Sequence, residues 1–251
     1  MSPKQSSGGM KSQRMYDTIC KETAVNQLST VQKALSGILK TVVILAACIG
    51  TFLSWYAGRD SFMGGKTVFM YFTIQSNIAL AVICLIGLIK MLRGKAFSAV
   101  WYIVKFVGTV SITLTGAVFC FVLAPTMQRG AWSIQNILTH VVVPVAGILD
   151  FFVTGISGEI KKRNDLWVIV PPLLYAVYAG IAYKMNWQFA RGYNYPYFFL
   201  NWGSPAGAFG FTDDLPYMGC AWWIIALFCA LLIVGMLYLL ILDVLKKMLK
   251  R

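Results

Sequence analysis

Charge-free stretches dominate the chain, at 41–58, 67–89, 106–128, 130–149, 166–183 and 215–242. Each can supply a run of about 20 mainly apolar residues, the length that crosses ~30 Å of hydrocarbon as a helix. Helices satisfy their own backbone polar groups, as lipid demands, and an open strand does not. The pattern therefore predicts an all-α polytopic membrane protein, a six-helix transmembrane bundle. The helices are expected over 38–57, 68–91, 99–124, 133–156, 166–183 and 218–242.

Composition agrees with that reading. Hydrophobic residues make up 58% of the chain and charged ones 12%, with a mean hydropathy of +0.68. A soluble domain carries about 25% charged residues. The basic residues also cluster on alternate connections. Lys4, Lys11, Arg14, Lys21, Lys33 and Lys40 precede or open helix one. Lys90, Arg93 and Lys95 lie between helices two and three, and Lys161, Lys162 and Arg163 between four and five. Lys246, Lys247, Lys250 and Arg251 form the tail. The opposite connections hold only Arg59, Lys66, Arg129, Lys184 and Arg191. The positive-inside rule then predicts that both termini are cytoplasmic. The net charge of +13 follows from this bias and from attraction to anionic lipid, and calls for no nucleic acid.

Residues 1–33 read as a polar cytoplasmic arm, whose end near Leu28, Val31 and Leu35 suggests a short interfacial helix. Residues 34–251 read as a single membrane domain. Cys48, Cys84, Cys120 and Cys229 fall in spans, Cys220 near an outer edge and Cys20 in the arm. Their spacing fits no metal site, so no metal and no cofactor are expected.

Polar residues inside the spans are the candidate chemistry. Helix two reads Val-Phe-Met-Tyr-Phe-Thr-Ile-Gln-Ser-Asn from Val68. Thr73 and Asn77 share a face at spacing four, with Gln75 and Ser76 to either side. Helix four reads Ser-Ile-Gln-Asn-Ile-Leu-Thr-His-Val-Val-Val-Pro from Ser133, so Asn136, His140 and Pro144 share a face. His140 is the sole histidine. At 1.5 Å per residue, Thr73 is expected roughly 8 Å below its helix start and His140 roughly 10 Å below its own. Both helices run inward, so the two residues have similar depth in the outer leaflet. An intramembrane histidine is costly and commonly functional, and a hydroxyl within its reach is a candidate nucleophile. Structural roles stand beside this reading: threonine bonding to its own helix, and asparagine or glutamine joining helices.

Lys105 and Asp150 match in depth at the opposite end, where a structural ion pair is expected, with a proton or substrate relay or snorkelling as alternatives. The 184–217 connection is long and aromatic, and holds Tyr193, Tyr195, Tyr197, Phe198, Phe199 and Trp202. Such a segment is expected at the interface, packed on the external mouth of the bundle, or as an aromatic belt without a gating role.

Three segments carry a family resemblance: Tyr-Phe-Thr-Ile-Gln-Ser-Asn at 71–77, Leu-Thr-His-Val-Val-Val-Pro at 138–144 with Asp150 following, and Tyr-Pro-Tyr-Phe-Phe-Leu-Asn at 195–201. They resemble the androgen-induced membrane threonine hydrolases, which include hydrolases of fatty acid esters of hydroxy fatty acids, and most closely the bacterial six-helix relatives of that family. The resemblance spans most of residues 38–242. It implies Thr73 as nucleophile and His140 as its partner, in an enzyme of lipid metabolism in a bacterial plasma membrane. The expected function is hydrolysis of lipid-like carboxylic esters at the external leaflet, with membrane lipids as surroundings and an amphiphilic acyl ester as substrate. Asn77, Asn136 and, in the loop, Asn201 are the candidate oxyanion donors. Asp150 lies ten residues past His140, about 15 Å along the helix, too far to complete a triad. A small transporter or channel, or a non-catalytic lipid-binding membrane protein, remains open as an alternative.

Overall fold

The computed structural model describes residues 28–59, 65–127 and 129–249, so most of the polar arm, with Cys20, lies outside the described residues. Six helices are long and apolar enough to cross a membrane: α1 (Thr30–Gly58), α2 (Phe72–Leu92), α3 (Ala99–Thr126), α4 (Ile134–Gly155), α5 (Lys162–Lys184) and α6 (Cys220–Leu249). The chain is an integral membrane protein with an all-α bundle. Among the described residues, sheet-like pairing is confined to two isolated bridges, Ala190 with Tyr193 and Phe211 with Met218.

The first four helices form a closed square in which α1 touches α2, α2 touches α3, α3 touches α4 and α4 returns to α1. Its centre is filled by Val43, Ala47, Leu80, Cys84, Ile112 and Val143. Helices α5 and α6 pack outside α3, where Phe106, Val110, Phe151, Val168, Leu231 and Leu242 make a second core. The outer faces stay apolar. On α1, Leu35, Ile38, Val42, Leu45, Ile49 and Phe52 are exposed at alternating spacings of three and four. In water such a stripe would need a partner; in a bilayer the lipid tails solvate it.

Local chemistry moves several boundaries from their expected places. Ser29 caps α1 by accepting the Gln32 amide at 3.2 Å, and the Gln32 side chain reciprocates at 2.9 Å. This capping box starts a continuous helix at Thr30, so Val31 and Leu35 belong to the span and not to a separate interfacial helix. Lys40 is accordingly a buried residue inside α1, not a flanking charge. Residues Gly65–Met70 form tight 3-10 turns, which delays α2 to Phe72 and puts Thr73 in its first turn. Lys162 and Arg163 lie within the opening 3-10 turns of α5.

Two helices contain a single widened π turn, at Phe119–Leu123 in α3 and Leu138–Val142 in α4. In each, the closing amide reaches five residues back: Ala124 to the Phe119 carbonyl, Val143 to that of Leu138. A proline follows each closing residue, Pro125 and Pro144. Proline offers no amide and crowds the carbonyl four residues before it. The extra residue of a π turn absorbs that conflict without breaking the span.

Candidate functional site

Thr73 and His140 line one cleft of about 620 Å³ at the end of the bundle that carries the 185–219 connection. Its walls come from α1, α2, α3 and α4, with Tyr193, Tyr195, Pro196, Tyr197 and Phe198 of the connection across it. Aromatic packing anchors that connection. Tyr71 donates to the Phe189 carbonyl at 3.3 Å, and Tyr197 stacks on Phe199 with centroids 5.0 Å apart.

The histidine is held in a defined orientation. Its Nδ1 lies 3.0 Å from the Asn136 carbonyl and 3.0 Å from the Thr139 hydroxyl. The carbonyl only accepts, and the Thr139 hydroxyl already donates to the Gln135 carbonyl at 2.8 Å. Neutral His140 must therefore carry its proton on Nδ1, leaving the Nε2 lone pair as the basic position. Nε2 has no hydrogen-bond partner among the described residues. The imidazole stacks on Phe119 at 3.8 Å and 22°, so the two π turns meet ring to ring. Gly116 lets α3 approach closely here: a Cβ at that position would sit 2.9 Å from the His140 carbonyl.

Thr73 differs from most of the other span threonines, although Thr51 too has a hydroxyl that bonds no carbonyl of its helix. Thr41, Thr109, Thr113, Thr115, Thr139 and Thr154 each return their hydroxyl to the carbonyl four residues earlier. The Thr73 hydroxyl instead lies 3.4 Å from the Tyr197 hydroxyl, which also accepts the Thr73 amide at 3.4 Å. First-turn amides have no partner within their own helix, so Tyr197 completes the start of α2. Burial raises the Tyr197 hydroxyl above the ordinary phenol range and keeps it protonated. It is a neutral donor beside the candidate nucleophile.

The asparagines divide. Asn77 is fully buried, and its Nδ2 donates to the Thr73 carbonyl at 2.7 Å and the Thr139 carbonyl at 3.1 Å. It ties α2 to α4, so the two helices touch, and its donors are occupied by backbone. Asn136 lines the cleft, but its Nδ2 donates to the Ala131 carbonyl at 3.0 Å. Asn201 closes a turn by accepting the Gly203 amide at 3.1 Å, away from the cleft-lining residues. None of the three presents an unengaged amide donor beside Thr73; the Tyr197 hydroxyl holds that place. Ser133 adds a buried hydroxyl oxygen with no partner in the cleft wall. Thr73 and His140 share the cleft without hydrogen-bonding each other.

Lys105 and Asp150 do pair, at the opposite end, and Lys40 joins them. Asp150 Oδ2 accepts from Lys105, and Oδ1 accepts from Lys40 at 2.7 Å and Ser36 at 2.6 Å. All three charged side chains are at most 1% exposed. Among the described residues, no cluster of His, Cys, Asp and Glu could hold a metal.

No family model, curated protein or solved structure matches the chain.

Proposed function

We propose that this protein is an integral-membrane, threonine-dependent hydrolase of lipid-like carboxylic esters, as its resemblance to the androgen-induced membrane threonine hydrolases implies. The observation that carries the reading is the shared cleft. It brings together a threonine hydroxyl that escapes its own helix and a histidine whose Nδ1 is held by a carbonyl, leaving Nε2 as the base.

The chemistry runs in two halves. Thr73 Oγ1 attacks the ester carbonyl carbon while His140 Nε2 takes the hydroxyl proton. The tetrahedral intermediate expels the alcohol, which receives that proton from the imidazolium. A water molecule, deprotonated by Nε2, then attacks the acyl-threonine, and the acid leaves as Thr73 regains its proton. The Tyr197 hydroxyl is the donor for the oxyanion. Bound substrate closes the interval between Thr73 and His140, as catalytic hydrogen bonds often tighten on binding. In this reading both termini are cytoplasmic, the cleft opens at the external leaflet of a bacterial plasma membrane, and the substrate is an amphiphile.

A fluorophosphonate probe tests the assignment on detergent-purified protein. Mass spectrometry should find the adduct on Thr73 and lose it in His140→Ala. Labelling elsewhere, or ester turnover undiminished in Thr73→Ala, overturns the reading.

A further inference from the structure

The cleft shared by Thr73 and His140 is polar without being charged. Among the described residues that line it there is no lysine, arginine, aspartate or glutamate. Arg59, Arg129 and Arg191 neighbour lining residues in the chain but are exposed outside the lining, and the Arg59 guanidinium lies on the Tyr56 ring, 4.0 Å from its centroid. Hydroxyls and amides supply the polar capacity. Ser133, Asn136 and His140 follow one another at spacings of three and four, so they share one face of α4, and all three line the cleft. The Ser133 hydroxyl oxygen is buried without a partner among the described residues, and its side chain does not cap the helix. Asn136 engages its Nδ2 with the Ala131 carbonyl, which leaves Oδ1 to accept. The Gln135 amide and, across the cleft on α1, the Ser54 hydroxyl also line it, and neither side chain bonds another described residue.

We infer that the alcohol portion of the ester is an uncharged polyol, glycerol or a sugar, whose free hydroxyls are recognised by Ser133, Gln135 and Asn136. The inference rests on the hydrolase reading, because His140 fixes which part of the substrate meets these groups. Its Nε2 protonates the leaving alcohol, so that portion lies against α4, with Asn136 and Ser133 one and two turns nearer the helix start. The acyl group passes to Thr73, the polyol departs with the proton from His140, and water then releases the acid. A hydroxyl both donates and accepts, which suits a lining of hydroxyls and amides. A plain alkyl alcohol would cover those groups and leave them unpaired. A carboxylate, phosphate or ammonium would lose water and gain no opposite charge. Tyr193 and Tyr195, edge to face at 5.5 Å, give the C–H groups of a polyol an apolar wall.

Four esters of one acid test this: monooctanoylglycerol, propyl octanoate, the octanoyl ester of glycolate, which carries a carboxylate, and octanoylcholine, whose cation the tyrosine faces could hold. Each is assayed in detergent on wild type, Thr73→Ala, Ser133→Ala, Gln135→Leu and Gln135→Lys. Wild-type kcat/KM should favour the glycerol ester over the propyl ester by roughly five- to tenfold, the factor for one neutral hydrogen bond, and over both charged esters by about tenfold or more. Ser133→Ala and Gln135→Leu should each bring the glycerol-to-propyl ratio down to about twofold. Gln135→Lys places a cation in the lining and should raise the glycolate ester against the glycerol ester. Melting curves identify a variant that fails to fold; the remaining substitutions then carry the test. Thr73-dependent turnover in which another of the four esters equals or exceeds the glycerol ester, or a glycerol preference that survives both Ser133→Ala and Gln135→Leu, overturns the polyol assignment and leaves the hydrolase standing. Absence of Thr73-dependent turnover for all four esters overturns both.

Discussion

The two ends of the bundle treat buried polarity in opposite ways. Where the described chain begins and finishes, the polar groups are charged and closed off. Lys40, Lys105 and Asp150 are essentially without solvent contact, and Ser36 supplies a further donor to the carboxylate. Lys40 also lies 5.8 Å from the Trp101 ring centroid, a placement that helps hold a cation in excess over the single acid. At the other end the polar groups are neutral and face a cleft, and some hydrogen-bonding capacity is unengaged. A buried charge without a partner is strongly destabilising, so the Lys40, Lys105 and Asp150 cluster has to be complete, even though Asp165 Oδ1 and Trp101 Nε1 at the same end have no partner among the described residues. A neutral hydroxyl or imidazole carries a smaller penalty and can keep an atom in reserve. Unengaged capacity, more than burial or charge, separates the candidate site from the lock that joins α1, α3 and α4.

That contrast predicts which substitutions harm activity and which harm the fold. Thr73→Ala and His140→Ala should lower ester turnover by at least 10²- to 10⁴-fold, the usual contribution of a positioned acid–base group, with melting temperature in detergent little changed. Loss of folding in parallel with activity would assign the pair a structural role and erase the contrast. Asp150→Ala should do the reverse. It leaves two ammonium groups facing each other and should cost about 3–5 kcal/mol of stability, read as a lower denaturation midpoint. Replacing Lys40, Lys105 and Asp150 together by Met, Met and Leu should recover most of that loss, because apolar side chains of similar volume avoid the desolvation penalty.

The six spans, and the similar depth at which Thr73 and His140 line one cleft, were legible because they rest on length, hydropathy and depth, all linear properties of the chain. What was not legible depended on rotation and on distant contacts. Asn77 and Thr73 share a helix face, yet the Asn77 amide turns to two carbonyls, one of them on α4. Lys40 looked like the last flanking charge of a basic segment; only the Ser29 capping box, which starts α1 early, places it a few turns inside the helix. Tyr197 was one aromatic among many in the connection, and nothing local marks it as the residue that reaches Thr73. The π turns had a signal in Pro125 and Pro144, but the stacking of Phe119 on His140 is a tertiary fact.

Tyr197→Phe sharpens the comparison at intermediate scale. The ring would still stack on Phe199 and line the cleft, so folding should be nearly unaffected. Among the described residues, the lost hydroxyl is the only side-chain group that bonds both the amide and the hydroxyl of Thr73. Removing one oxyanion donor costs roughly 10²–10³-fold in kcat in well-studied hydrolases; the 3.4 Å contacts here favour the lower end. The fall should appear in kcat with KM little changed, since the donor acts on charge that develops in the transition state. An equal change confined to KM would make Tyr197 a ground-state binding group and return the oxyanion role to an unidentified donor.

Asn201→Ala is the smallest and most discriminating case, because sequence and geometry assign the residue different work. By sequence position it follows Tyr-Pro-Tyr-Phe-Phe-Leu and offers an amide for the oxyanion. In the fold its Oδ1 accepts the Gly203 amide at 3.1 Å, a local turn contact. A side chain that closes a turn should cost about 0.5–1.5 kcal/mol when removed, and turnover should stay within about twofold. A tenfold or greater loss of kcat, with melting temperature preserved, would show that the connection rearranges on substrate binding and delivers Asn201 to the carbonyl. The cleft end would then differ from the charged end in mobility as well as in unengaged polar atoms.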